Sequence, residues 1–458
     1  MDIGDFVPVP ETKPCLDRAT ALIVPVLEHL IPAALDQHLA SLERGGCAGV
    51  LTLQRMLRLE LLQACHPSRS FQAMLRQVWQ VWSAAGLRPD DCPCSAALSR
   101  ARERLPVWAV EMVFKATAQR AAALLACSPW EGHRLLSIDG TMLSTPKSTE
   151  NEQHFGTTRS QHGAAYYPQA LAVWICGVQQ GTVLHHRGGT AHQSDQRLGP
   201  HALRDFVRPG DVVFGDCHYG HYGASNVICN ADAFFLTRAP ANFQIAPRVV
   251  KALGPHDREI LLTPSAKIQR HYSDLDLRPE LRARALTFTV PAKDTENGTE
   301  QANFLTNLPV QEFPADLLQR LVGLRWNHET VNNDIKTRLG LTNLRSEHVA
   351  GVWREVFAHL SVNNAVRLAL YDARPLDAPG GSFLAAAQAL VEANTQLRAV
   401  ALSPTAIWTA FHLALRQHSV DVRPGRSEPR KRRPYKTAFP MFKTSRAQCR
   451  ERRKEVAA

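Results

Sequence analysis

Arg325, Glu329 and Lys336 lie in a segment with helical periodicity, at a spacing that turns all three to one side of the helix. A cation, a carboxylate and a second cation form a single stripe. A solvated, ion-paired helix face shows the same pattern. Two further carboxylates change the balance, because Asp139 and Asp216 each follow a short β-like run, over 134–138 and 211–215. Three separated carboxylates with cations around them point to metal-dependent chemistry on phosphate. Each has a plainer account as well: Asp139 before Gly140 as a turn residue, Asp216 beside Gly215 as a helix cap, and Glu329 as the ion-pair partner of Arg325.

The elements that must position these residues differ in texture along the chain. Residues 1–130 read as helical, with apolar periodicity over 21–42, 51–65, 71–85 and 107–125. Among them, 95–105 carries Arg100, Arg102 and Arg104 on a short helix, which fits entry into a DNA groove or a solvent face equally. Strand-like runs begin at 134. Those over 171–178 and 182–186 are joined by a Gln-Gln-Gly turn as a hairpin. A helix over 198–207, the strand 211–215, a helix near 224–229 and a strand 233–237 follow, and together they indicate a mixed sheet covered by helices, an α/β fold.

Strands over 259–263 and 283–290, in charged and turn-rich surroundings, read as a β-rich insertion. Pro314 then opens the long helix that carries the stripe, a helix over 352–367 follows, and a last helical segment ends near 418. The expected organisation is a helical DNA-binding region over 1–130, a core in two parts (131–239 and 304–372) separated by the insertion 240–303, a helical C-terminal region 373–422, and a basic tail 423–458.

Hydrophobic content of 45% is that of an ordinary globular protein, and no apolar run reaches the length of a membrane span. The amino terminus lacks the basic-then-apolar pattern of a secretory signal, so a cytoplasmic protein without membrane contact is expected. Ten cysteines, with Cys92 and Cys94 the closest pair, give neither a disulfide framework nor a second pair at zinc-ligand spacing. From 423 to 454 there are thirteen basic and two acidic residues, which equals the whole formal excess of +11. Arg430, Lys431, Arg432, Arg433 and Lys436 form its dense part, with Tyr435 and Phe439 among them. Such a tail is either solvated chain or a polyanion-binding arm, and the interleaved aromatics favour nucleic acid.

At these residues the chain resembles the DDE transposases of the insertion-sequence-four family, over nearly its full length. The resemblance rests on Ile138-Asp139-Gly140-Thr141 with Phe155-Gly156 beyond, on Gly215-Asp216, and on Leu324-Arg325-Trp326 leading to Glu329 and Lys336. It implies a ribonuclease-H-like catalytic core with a β-rich insertion, flanked by helical N-terminal and C-terminal regions. It also implies that Asp139, Asp216 and Glu329 hold Mg²⁺ or Mn²⁺ and catalyse cleavage and joining. Arg325 and Lys336 are then DNA contacts, and Trp326 is a candidate for stacking a flipped base or, more simply, a packing residue. The implied partner is double-stranded DNA, as transposon ends and as target, with two copies of the chain acting together. One signature position departs: the family's tyrosine is replaced by Val322, and Cys217 stands where many members carry a basic residue. A decayed DNA-binding repressor and a nuclease without strand transfer remain as alternatives.

Overall fold

The computed structural model describes residues 20–417 apart from 21–22, 25–26, 44–49, 85, 88–90, 128–131, 161–162, 241, 292–298, 374–380 and 397–403. Its larger compact unit comprises Met1–Phe288 and Gln301–Val422. Among the described residues five α-helices come first: α1 (Ala33–Leu42), α2 (Leu53–Cys65), α3 (Phe71–Ala84), α4 (Ser95–Arg104) and α5 (Val107–Cys127). The periodic run 21–42 is not one helix, because Pro32 stands at the N-cap of α1 and, among the described residues, only a short 3-10 turn, Glu28–Leu30, precedes it.

Then follow β1 (Leu135–Ser144), α6 (Thr149–Phe155), the short pair β2 (Arg159–Ser160) and β3 (Gly163–Ala164), β4 (Gln169–Gly177) and β5 (Val183–Thr190). After these come α7 (Asp195–Phe206), β6 (Val212–Gly215), α8 (Tyr222–Asn230) and β7 (Phe234–Arg238). β8 (Val249–Gly254), β9 (Asp257–Leu262), α9 (Ala266–His271), β10 (Leu281–Pro291) and β11 (Thr299–Thr306) complete the strands. The remaining helices are α10 (Ala315–Val322), α11 (Trp326–Asn333), α12 (Val349–Ala373), α13 (Phe383–Gln396) and α14 (Pro404–Gln417).

The strands form a nine-stranded sheet in the order β5-β4-β1-β6-β7-β11-β10-β9-β8. β1 is antiparallel to β4 and parallel to β6, and β6 is parallel to β7. The strands of 240–303 therefore extend the main sheet instead of forming a separate layer, and β11 crosses the boundary expected at 303. β8 and β11 are not evident in the sequence: the first four residues of β8 are exposed, so no apolar alternation marks it.

Alternation on β4 divides the interior in two. Ala172, Trp174 and Cys176 pack with the N-terminal helices and α12, whereas Leu171, Val173 and Ile175 pack with α7 and α8 on the other face. The helical N-terminal region thus shares its core with the sheet and α12. A buried ion-pair network reinforces this contact: Arg102 on α4 meets Glu60 of α2 at 2.7 Å and Glu355 of α12 at 2.6 Å. No described helix is long and apolar enough to cross a membrane.

Candidate active site

Asp139 lies within β1, which continues past the expected end at 138 to Ser144 because Asp139 to Ser144 keep pairing with Trp174 to Gln169 of β4. Asp216 follows the last residue of β6. The β1–β6 register pairs Ser137 with Phe214, so each aspartate stands two residues beyond a matched pair on adjacent parallel strands. Asp216 is held in a turn: its Oδ1 accepts from the His218 backbone N at 2.8 Å, and its carbonyl accepts from the Tyr219 N at 3.1 Å. The Asp139 carboxyl senses Asp216. Burial first, and then the charge of Asp216, push the Asp139 carboxyl up to about 6, with Asp195 adding to the effect.

The stripe lies on a helical run that changes pitch. After α10, Gly323–Arg325 is a 3-10 turn, α11 follows, and Asp334–Arg338 opens into a π-helix. Three side chains of this run bond to alternate residues of β1. His328 Nδ1 meets Ser137 Oγ at 2.7 Å, Asn332 Nδ2 donates to Asp139 Oδ2 at 2.8 Å, and Lys336 Nζ donates to Thr141 Oγ1 at 2.7 Å. The match is geometric: four helical residues rise about 6 Å and two strand residues about 6.6 Å. His328 is buried, and burial pushes its pKa down to about 3, so a neutral ring underlies the helix.

Glu329 projects from α11 with its side chain 55% exposed and pairs with Arg325 at 3.0 Å. Asp139, Asp216 and Glu329 are not gathered within 4.8 Å of one another; among the described residues the group that is comprises Asp216, Cys217 and His218. Val322, at the signature tyrosine position, is 8% exposed and packs inward.

The residues expected to bind DNA divide. Arg100 is exposed, and Arg104 donates to the Leu51 carbonyl at 2.8 Å with half its side chain in solvent. Arg102, expected to contact DNA, has its guanidinium between Glu60 and Glu355 and over the Phe71 ring, where it packs α4. The Trp326 side chain and Arg430, Lys431, Arg432, Arg433 and Lys436 lie outside the described residues. Sequence reasoning missed Asn332, His328 and Asp195. Asn332 carried a signal, since it falls between Glu329 and Lys336 on the same helix side.

Residues 130–364 match the Transposase DDE domain, and the chain belongs to that family. The chain is 26% identical over 350 residues to "Transposase InsG for insertion sequence element IS4" of Escherichia coli (strain K12), a match covering 74% of this chain and 75% of that protein. A cryo-EM structure of the piggyBac transposase synaptic complex with hairpin DNA aligns over 92% of this chain and 90% of its own, at 10% identity and a TM-score of 0.43.

Proposed function

We propose that this DNA transposase binds the terminal inverted repeats of its own insertion element, cleaves at the ends and joins the freed 3′-hydroxyls to target DNA. We further read the strand order β5-β4-β1-β6-β7 as a ribonuclease-H-like core, with Asp139, Asp216 and Glu329 as its catalytic carboxylates. The observation that carries the reading is that Asp139 and Asp216 each stand two residues beyond the last matched pair of the parallel strands β1 and β6, while the helix bearing Glu329 is bonded to Asp139 through Asn332.

The residues fit a divalent cation. Asp139 and Asp216 repel each other, and among the described residues neither has a cationic partner, which is the donor set that hard cations select. Asp139, Asp216 and Glu329 would hold Mg²⁺ or Mn²⁺, which when bound supplies Lewis acidity at the phosphoryl oxygen and lowers the pKa of the attacking water.

The chain's own residues orient the substrate. Asn332 fixes the Asp139 carboxylate from one side, while the Gly140 backbone N donates to its other oxygen at 2.8 Å. Arg325 offers a planar fork to a phosphate once it leaves Glu329, and Lys336 offers a point charge beside Thr141. In the first step water adds at the end phosphorus and the bond to the 3′-oxygen breaks, leaving a 3′-hydroxyl. In the second step that hydroxyl adds at a target phosphorus and displaces another 3′-oxygen, so one phosphodiester forms as one breaks.

A second reading, a DNA-binding protein that no longer cuts, is favoured by one observation: Glu329 is exposed and neutralised by Arg325, beside a buried Val322 in place of tyrosine. Purified protein with an end-bearing donor plasmid, a target plasmid and Mg²⁺ or Mn²⁺ separates the readings. Excision with joined products supports transposition, binding without cleavage supports decay, and cleavage without joining indicates a nuclease.

A further inference from the structure

Gly140 leaves room for a side chain from another element. A Cβ there would lie 2.5 Å from Asp195 Cβ and 3.4 Å from Asp195 Oδ2, the first closer than side chains tolerate. Asp195, in the first turn of α7, therefore reaches β1 at the residue next to Asp139. Its Oδ1 accepts from the Gln196 backbone N at 2.8 Å. Among the described residues no cation pairs with Asp139, Asp195 or Asp216.

Tyr219 supplies an independent observation. Its ring packs against Gly199, one helical turn beyond Asp195, where an added Cβ would meet Cε1 at 2.3 Å. The residue is 1% exposed, and among the described residues its hydroxyl has no hydrogen-bond partner. This buried hydroxyl, on a ring packed against α7 and three residues from Asp216, joins carboxylates that pair with no described cation in a polar cluster a cation would satisfy. Asp139, Asp195 and Asp216 are not gathered within 4.8 Å of one another.

We propose that Asp195 is a further carboxylate of this centre, sharing with Asp139 and Asp216 the binding of a divalent cation, with Tyr219 backing it. The inference rests on the reading of Asp139 and Asp216 as a metal-binding pair. A carboxylate in the first turn of α7 also stabilises the helix through its dipole, but that role alone moves stability and not metal affinity.

The test is Mn²⁺ titration of the full chain without DNA, followed by electron paramagnetic resonance. Asp195→Asn is expected to weaken Mn²⁺ binding at least about tenfold. Gly140→Ala, which displaces Asp195, should act in the same direction, and Asp205→Asn on the same helix should bind as wild type. Wild-type affinity in Asp195→Asn, beside weakened binding in Asp139→Asn, overturns the role of Asp195 and leaves the pair standing. Wild-type affinity in Asp139→Asn as well overturns the pair itself.

Discussion

Asn332 donates its side-chain N–H to Asp139 at 2.8 Å while its carbonyl accepts from the Trp174 indole N–H at 2.8 Å. Trp174 is the cross-strand partner of Asp139. One amide on the stripe helix thus fixes the Asp139 carboxylate against two strands. It places the stripe beside Asp139 even though Glu329 itself points outward to Arg325.

Asn332→Ala is expected to slow end cleavage about 10- to 100-fold, since it frees the carboxylate without removing it. It also orphans a buried indole N–H, with a loss of about 1–3 kcal/mol. Cleavage rates and urea unfolding check both effects, and a wild-type cleavage rate would show that Asp139 needs no such support.

Arg102→Ala should destabilise the fold by about 3–5 kcal/mol, because it leaves Glu60 and Glu355 buried without their cation. The salt dependence of DNA binding should not change. Arg100→Ala, at an exposed position on the same helix, should leave stability within about 0.5 kcal/mol. Reversed behaviour of the two variants would restore Arg102 as a DNA contact.

Lys336→Met should lower the slope of log affinity against log salt by about 1, the share of one phosphate contact. Removing the chain after Val422 should flatten the slope much further, given the thirteen basic residues between 423 and 454. An unchanged slope on truncation would make the tail a solvated segment.

His186 lies between the Trp353 and Phe357 rings with its Nε2 sealed from solvent, although the residue as a whole is half-buried. Burial, and then His185, hold its pKa down to about 3. The unfolded value is about 6.5, so between these values the unfolded chain binds more protons, and stability falls as pH drops through that window. Urea unfolding at pH 7 and pH 5 should show a decline that His186→Leu reduces by up to about 2 kcal/mol. An equal decline in both proteins would mean that the ring is not held neutral.

The strands near the site were legible in the sequence as separate runs, though not their order in the sheet. The strands before Asp139 and Asp216 are buried on both faces, and apolar runs between turn residues mark such strands directly. The length of β1 was not legible. Asp-Gly reads locally as a turn, whereas here β4 continues the pairing through it. Arg102 read as a free cation because its two carboxylates lie far away in sequence, on α2 and α12. Asn332 and Asp195 were missed for the same reason: each acquires its meaning only when a distant strand comes beside it. Lys336 bonds to Thr141 of β1, and the π-turn that carries it has no local sequence mark.

The most direct measurement is end cleavage by Glu329→Gln, with end binding followed in parallel on the same DNA. The substitution removes a charge and little shape, so binding should stay within about threefold of wild type while cleavage falls by at least about 10³-fold. Cleavage at the wild-type rate would contradict the assignment of Glu329 as the third catalytic carboxylate.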